Sequence, residues 1–315
     1  MAKLAITGIT GKSGLFFWKN IIENQDRIKE KWPEGINLLS RNKEKLENIE
    51  KGTLQTFYYT GKLTEQNVID EFCYDCDTLI HIAGIHWSLL IVESAIKAGI
   101  KRLILVHTTG IYSKYKAAGE EYRQIDAKIY ELVRKNNIAL TILRPTMIYG
   151  DISDCNVAVF IKMVEKFKIM PTVNGAHYEL QPVHCKDLGK AYFEVLMHPE
   201  ICNGKDYILS GSEPIELRQM FEEIAKNLGV KRKYISCPYP IAYFGAWVIF
   251  LLTFTKIDYR EKVQRLVEPR VYSHEKATRD FGYSPMSFEK GIVGEVKQYH
   301  ELKKKHIFKD IRHAR

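Results

Sequence analysis

The sequence lacks an apolar run of the about 20 residues that a membrane-spanning helix needs. Its amino end also lacks a charged leader followed by a long apolar segment, so we expect no secretory signal and a cytoplasmic protein. Cysteine is scarce, with six among 315 residues, and only Cys73 and Cys76 have redox or metal spacing. Because no second such pair or nearby histidines accompany them, we predict free thiols and no metal site.

Nucleic-acid motifs of the RRM, KH, zinc-finger and helix-turn-helix types are also absent. The net charge of +9 suits anionic ligands such as nucleotides and phosphates, although nucleic acid or acidic lipid would be favoured equally. Part of that charge lies in the tail KKKHIFKDIRHAR, which we interpret as a solvated end. We therefore predict a small-molecule substrate and no nucleic-acid partner. A hydrophobic content of 45% excludes general disorder.

The first half of the chain alternates short β-rich runs with amphipathic helical patterns. The strand-like runs are KLAIT, INLLS, LQTFYY, TLIHIA, RLILVHTT and ALTILRP. Such nearly continuous apolar strands are typical of a parallel sheet that is covered by helices on both faces. The pattern predicts an α/β fold of the Rossmann type, a doubly wound parallel sheet over residues 1–150.

After residue 150 the regular alternation stops, and residues 151–315 are predicted to form a smaller α+β substrate lobe. We expect this lobe to interleave with the first domain at the carboxyl ends of the strands, where ligands bind in open α/β sheets. Residues 239–254, YPIAYFGAWVIFLLTF, carry no charge. They predict a helix buried within the lobe or against a second subunit, the alternative being peripheral membrane contact beside Lys256 and Arg260.

A glycine turn follows the first predicted strand at once. Gly8, Gly11 and Gly14 stand between Thr7 and an amphipathic helix. The first glycine permits a tight turn, the second lets the backbone approach phosphates, and the third lets the helix pack closely on the strand. Helix amino-terminal amides would then face an anion. The arrangement predicts a dinucleotide site, which includes the turn residues Thr10, Lys12 and Ser13.

The end of the second strand bears on which dinucleotide binds. An NAD site places a carboxylate there to accept a hydrogen bond from the ribose 2′-hydroxyl, but this chain has Ser40, Arg41 and Lys43. Arg41, helped by Lys12, can instead hold a 2′-phosphate, so NADP(H) is favoured over NAD(H). The alternative is that Arg41 is an ordinary surface side chain.

These motifs together resemble the short-chain dehydrogenase/reductase superfamily, in its extended or atypical type, related to NAD(P)-dependent epimerases and dehydratases. Besides the glycine turn, the resemblance rests on HIAG (81–84), HTTGIY (107–112), LRPTMIYG (143–150), QPVHCKDLGKAY (181–192) and FGYSPMSFEKGI (281–292). It implies that Ala83 and Gly84 line the adenosine side and that Pro145 lies beside the nicotinamide. It further implies a catalytic hydroxyl at Thr108 and makes a homodimer an expectation.

Family enzymes act through Tyr-x-x-x-Lys, in which an ammonium stabilises tyrosinate on the same helix face. The expected tyrosine falls at Tyr122, but Asp126 stands four residues later and Lys128 six residues later. A carboxylate at that position would oppose tyrosinate formation. The spacing itself occurs at Tyr112 and Lys116, too soon after the strand to match the family position. Tyr122 is the positional candidate, with Tyr112, Lys116 and Lys128 as weaker ones.

Two functions stay open on these residues. The first is an NADP(H)-dependent oxidoreductase, epimerase or dehydratase that acts on a carbonyl or hydroxyl group of a small molecule, such as a nucleotide sugar. The second is a non-catalytic NAD(P) sensor or assembly protein, which the altered dyad supports.

Overall fold

The computed structural model describes residues 3–115 and 117–304, so most of the predicted basic tail lies outside the described residues. Its centre is a parallel sheet of seven strands in the order β3-β2-β1-β4-β5-β6-β11, which confirms the doubly wound α/β prediction. The seven strands are β1 (Leu4–Thr7), β2 (Ile36–Ser40), β3 (Thr56–Thr60), β4 (Thr78–His81), β5 (Arg102–Val106), β6 (Ala139–Pro145) and β11 (Asp206–Leu209).

Helices cover both faces of this sheet. One face packs against α1 (Lys12–Glu23), α2 (Gln25–Lys31), α3 (Lys43–Glu47), α8 (Cys185–Met197), α9 (Pro199–Cys202) and α13 (Glu275–Phe281). The other packs against α4 (Gln66–Cys73), α5 (Ser88–Lys97) and α6 (Gly119–Lys135). Every residue of β1, β2, β4 and β5 is buried, because strands between two helical layers have no solvent face.

The register of the sheet brings its loops to one edge. Thr7 at the end of β1 pairs with Leu39 on one side and with His81 on the other. Ser40 of β2 pairs with Thr60 of β3. The segments that follow these strands therefore leave the sheet side by side, at its carboxyl edge.

The second lobe is built from short two-stranded sheets and helices. Its elements are β7 (Ile148–Tyr149) with β10 (Val183–His184), β8 (Ile169–Val173) with β13 (Lys233–Cys237), β9 (Glu179–Leu180) with β12 (Ile215–Glu216), and the helices α7 (Val157–Lys166), α10 (Leu217–Asn227), α11 (Tyr239–Leu252), α12 (Arg260–Leu266) and α14 (Phe288–Lys304). A separate apolar core joins α7, α10 and α14.

The chain also returns to the first domain after residue 150. β11 pairs with β6 as the seventh strand of the central sheet. α8 packs so closely on α1 that a Cβ at Gly189 would lie 2.5 Å from the Cβ of Phe16. Through β11 and α8, the part of the chain after residue 150 is interleaved with the part before it. The domain boundary near residue 150 stays a prediction.

The apolar stretch 239–254 forms the predicted helix α11 but is not buried. Within α11 only Ala246 is buried, whereas Phe244 is 63% and Leu252 is 75% exposed. The expectation that this helix lies inside the small lobe is wrong, because its main neighbour, the seven-residue helix α12, covers only one side of it.

Candidate functional site

A cavity of about 940 Å³ opens at the carboxyl edge of the central sheet. The loops after β1, β2, β3, β4, β5 and β6 line it on one side, and segments of the second lobe line it on the other. Among the described residues, six lysines and arginines line this cavity: Lys12, Arg41, Lys45, Lys62, Arg265 and Arg270. Asp154 is the carboxylate that lines it. The cavity therefore favours an anionic ligand.

The glycine turn forms the floor of this cavity at the end of β1. Gly8 has a φ of 79°, and a Cβ there would lie 2.7 Å from the backbone nitrogen of Ala83. A Cβ on Gly14 would lie 2.2 Å from the carbonyl oxygen of Gly8, so α1 can approach the strand only without a side chain.

The amino end of α1 is open to a ligand. Gly11 is its N-cap residue and supplies no side chain to accept hydrogen bonds from the first amides. Gly8, Thr10, Gly11, Lys12 and Ser13 all line the cavity, whereas Gly14 acts through packing. Free amides at a helix amino end, with a lysine beside them, fit a diphosphate.

A group of cations surrounds the end of β2. Because Ser40 pairs with Thr60, Arg41 and Lys62 leave neighbouring strands at the same edge. Lys45, from the helix that follows β2, also lines the cavity there. The Ser40 and Thr10 hydroxyl groups lie 3.1 Å apart and join the glycine turn to this strand end.

Three of the predicted cofactor residues lie at the ends of β4 and β6, and two of them line the cavity. Ala83, after β4, and Pro145, at the end of β6, line it. Gly84 does not line it; its carbonyl oxygen lies 3.0 Å from Nε2 of the buried His81. The Thr109 hydroxyl group donates to the Pro145 carbonyl oxygen at 3.2 Å and fixes this wall.

Of the predicted catalytic side chains, Thr108 reaches the cavity. Its Oγ1 accepts a hydrogen bond of 3.0 Å from the Gly110 amide, so the loop after β5 holds the side chain in place. The hydroxyl proton is then available to a ligand oxygen. Tyr112, Tyr122 and Lys128 do not line the cavity, and Lys116 lies outside the described residues.

Tyr122 lies on α6 and is directed toward His86. Its hydroxyl oxygen is 3.4 Å from Nε2 of His86, whose Nδ1 is 2.9 Å from a carboxylate oxygen of Glu121. Burial, with the charge of Glu121, raises the pKa of Tyr122 above its ordinary value. This environment favours the neutral phenol.

Asp126, at the position where the family has lysine, belongs to a buried ionic chain that sequence reasoning missed. Its Oδ1 lies 2.7 Å from Nδ1 of His107 and its Oδ2 lies 2.7 Å from Nη1 of Arg144. Arg144 also pairs with Asp206 at 2.8 Å. Burial raises the pKa of Asp126, but His107 and Arg144 outweigh it and the net pKa is lowered. The Asp126 charge is therefore neutralised locally.

His107 connects this ionic chain to the cavity. Its Nε2 lies 3.0 Å from the hydroxyl oxygen of the fully buried Ser88, and the ring itself lines the cavity. The wall beside Thr108 is thus held by a continuous set of buried polar contacts. A histidine at the end of β5 was the only sequence signal for it.

The second lobe contributes two arginines that no sequence motif indicated. Arg265 and Arg270 line the cavity, and the Nε atom of each has no hydrogen-bond partner among residues 3–115 and 117–304. Burial and the charge of Arg265 lower the pKa of Arg270 to about 10, which leaves it charged at neutral pH. Tyr272 lines the same wall. Two guanidinium groups on one wall of the cavity fit an anionic substrate group.

A family model described as NAD(P)H-binding matches residues 8–162. The chain is 26% identical over 166 residues to a 2-alkyl-3-oxoalkanoate reductase of Stenotrophomonas maltophilia (strain K279a), covering 50% of each protein. It is 27% identical over 200 residues to short-chain dehydrogenase/reductase family 42E member 1 of Xenopus laevis, covering 58% of this chain and 51% of that protein. It thus spans about half the length of these curated relatives.

Solved structures agree with the fold over nearly the whole chain. A UDP-glucose 4-epimerase of Thermotoga maritima, solved with UDP-glucose, superposes with a TM-score of 0.70 at 16% identity, covering 95% of this chain and 99% of that one. The family model, the two relatives and the glycine turn agree on one family. The chain is similar to the short-chain dehydrogenase/reductase superfamily, in the atypical type that includes the NAD(P)-dependent epimerases and dehydratases.

Proposed function

We propose that this chain is an NADP(H)-dependent enzyme that interconverts a carbonyl and a hydroxyl group on a small anionic molecule. One observation carries the proposal: a single cavity joins the glycine turn, the Thr108 hydroxyl group and the guanidinium groups of Arg265 and Arg270. NADP(H), when bound, supplies or accepts the hydride. The chain's own residues orient both molecules, polarise the reacting oxygen and supply its proton.

The cations around the end of β2 support NADP(H) over NAD(H). Arg41, Lys45 and Lys62 surround the place where a family dinucleotide would present its ribose 2′-position, and a 2′-phosphate would pair with them. Charge-assisted hydrogen bonds are each worth about 1.5–3 kcal/mol, so Arg41→Ala should weaken NADPH binding by about 10- to 150-fold. NADH binding should change little. Lys43→Ala, at the first residue of α3 and outside the cavity, is the matched control.

The arginines of the second lobe support an anionic substrate. The names of two similar proteins include anionic compounds. The 3-oxoalkanoate in the name of the reductase carries a keto group and a carboxylate, and the UDP-glucose solved with the epimerase carries hydroxyl groups and a diphosphate. Either anion would pair with the guanidinium groups of Arg265 and Arg270, which line the cavity. A nucleotide sugar and a 3-oxo acid are therefore the two substrate classes to test first.

The cavity also offers a polarising hydroxyl group and a proton donor. Thr108 would donate a hydrogen bond to the substrate oxygen on which negative charge develops. Burial, with the charge of Glu268, raises the pKa of Tyr272, so its phenol keeps its proton at neutral pH. As the carbonyl carbon gains a hydride, the oxygen would take that phenol proton and become a hydroxyl group. We therefore propose Tyr272, which lines the cavity, as the proton donor in place of Tyr122.

The test follows NADPH by absorbance: its oxidation reports turnover of panels of 3-oxo acids and uncharged ketones, and its formation from NADP+ reports turnover of a panel of nucleotide sugars. We expect turnover of an anionic class that falls by on the order of 100-fold in Thr108→Ala and Tyr272→Phe. Tyr122→Phe makes the same chemical change, the loss of a phenol hydroxyl group, at a residue outside the cavity, and it should retain turnover. Tight NADPH binding without turnover of any panel member would instead favour the sensor function.

A further inference from the structure

A second feature is an apolar hairpin, defined here as residues 239–266, formed by α11, α12 and the turn between them; its helix α11 lies outside the cavity. From residue 239 to residue 255 it contains no charged side chain. The turn carries Phe254, which is 85% exposed, next to Leu252 at the end of α11. Soluble surfaces seldom expose a contiguous apolar patch without a binding partner.

The shape of the hairpin indicates what covers it. Ile241, Phe244 and Leu252 follow one helical stripe of α11, and Trp247 and Ile249 are exposed on its two flanks. A second folded protein presents a surface that covers one side of such a helix. A fluid hydrocarbon phase surrounds a projecting helix and its tip on every exposed side.

Charge at the base of the hairpin complements an anionic surface. Asp258 and Glu261 are paired within the chain, with Arg260 at 2.7 Å and with Arg265 at 3.9 Å. Lys256 and Lys262 are exposed and leave a positive excess directly after the apolar tip. Anionic phospholipid headgroups attract cations at this position relative to an inserted apolar face.

The two-stranded sheet that leads into α11 extends the same surface. Ile169 of β8 and Ile235 of β13 are 52% and 57% exposed. Alternation along the paired strands puts them on the outward face, where Lys233 lies opposite Ile169. Lys168, directly before β8, is also exposed. Apolar residues and lysines thus occur together here too.

We propose that the apolar hairpin docks this protein onto a bilayer surface that contains anionic phospholipids. α11, at 14 residues, is about 21 Å long, short of the about 30 Å of hydrocarbon that a span must cross. Among the described residues, no helix has the length and hydropathy to cross a membrane. The hairpin therefore lies in the interface, with Trp247 and Tyr259 at headgroup level.

The test is flotation of the full chain with phosphatidylcholine vesicles, prepared with and without phosphatidylglycerol. We expect partition onto the phosphatidylglycerol vesicles that weakens as salt is raised, because screening reduces the attraction. The triple variant Phe244→Ser, Leu252→Ser, Phe254→Ser should partition on the order of 100-fold less. Val293→Ser, at an apolar site on α14 that is 52% exposed, should bind as the wild type does.

Unchanged circular dichroism and thermal midpoint would show that the triple variant is folded, since the three side chains are exposed. Trp247→Phe should still partition but lose the blue shift of tryptophan emission that the wild type shows on vesicles. Absence of wild-type partition, or equal partition of the triple variant, would overturn the proposal. A dimer by analytical ultracentrifugation that the triple variant abolishes, without vesicle binding, would assign the hairpin to a second copy instead.

Discussion

Replacing Asp126 by lysine would give α6 the family motif Tyr-x-x-x-Lys, with Tyr122 as its tyrosine. If the altered dyad were a simple loss, this change would restore catalytic geometry. The structure predicts the opposite outcome, because Asp126 is 5% exposed and lies 2.7 Å from Arg144. A lysine there would put an ammonium group beside a buried guanidinium.

The size of the effect follows from the partners that are left. Removing one member of a buried ion pair costs about 3–5 kcal/mol, because the other charge stays buried and unpaired. Asp206 still pairs with Arg144 and offsets part of this loss, whereas the new ammonium group adds repulsion. We expect about 4 kcal/mol for Asp126→Lys and about 2 kcal/mol for Asp126→Asn, which keeps an acceptor for His107. Because the free energy of unfolding of a folded protein is about 5–15 kcal/mol, either loss would be a large part of the total.

The assay is thermal and urea unfolding, followed by circular dichroism, together with NADPH turnover. Asp258→Asn breaks an exposed pair with Arg260 and is the matched control; its midpoint should equal that of the wild type. A folded Asp126→Lys protein with wild-type stability, and with turnover that is lost on adding Tyr122→Phe, would refute the reasoning.

Two further predictions concern stability against pH and the glycine turn. Burial and the charge of Asp154 raise the pKa of Glu295 to about 8, whereas an unfolded glutamate titrates near about 4.3. Folded Glu295 thus keeps a proton that the unfolded chain releases, so stability should fall as pH rises from 5 to 8, and Glu295→Gln should flatten that fall in a thermal-midpoint series. Gly8→Ala should lower the free energy of unfolding by at least about 1–2 kcal/mol, the cost of a left-handed conformation, because the new Cβ would meet the backbone of Ala83. Calorimetry should show that this variant no longer binds NADPH; wild-type binding would contradict this.

The central sheet could be predicted because its signal is local. β1, β2, β4 and β5 are short, mostly apolar runs bounded by turns, and burial on both faces requires that pattern. The glycine turn is equally local, since three glycines, a strand and a helix stand within a dozen residues. β11 pairs with β6 from more than 60 residues away, and its own residues do not indicate this partner.

The contacts of the site that were missed depend on such distant pairing. His107, Asp126 and Arg144 meet only because β5, α6 and β6 pack together. Arg265 and Arg270 reach the cavity from the far end of the chain. The helix at residues 239–254 could be predicted from its composition. Its exposure could not, because hydropathy does not indicate whether another element packs over a helix.

The most direct test of the account is calorimetric titration of the wild-type chain with NADPH and NADH. It predicts one site per chain, NADPH bound on the order of 10-fold or more tightly than NADH, and competition by adenosine 2′,5′-bisphosphate that exceeds competition by 5′-AMP. Equal affinity for the two dinucleotides would remove the 2′-phosphate contact, and no binding of either would contradict the dinucleotide site itself.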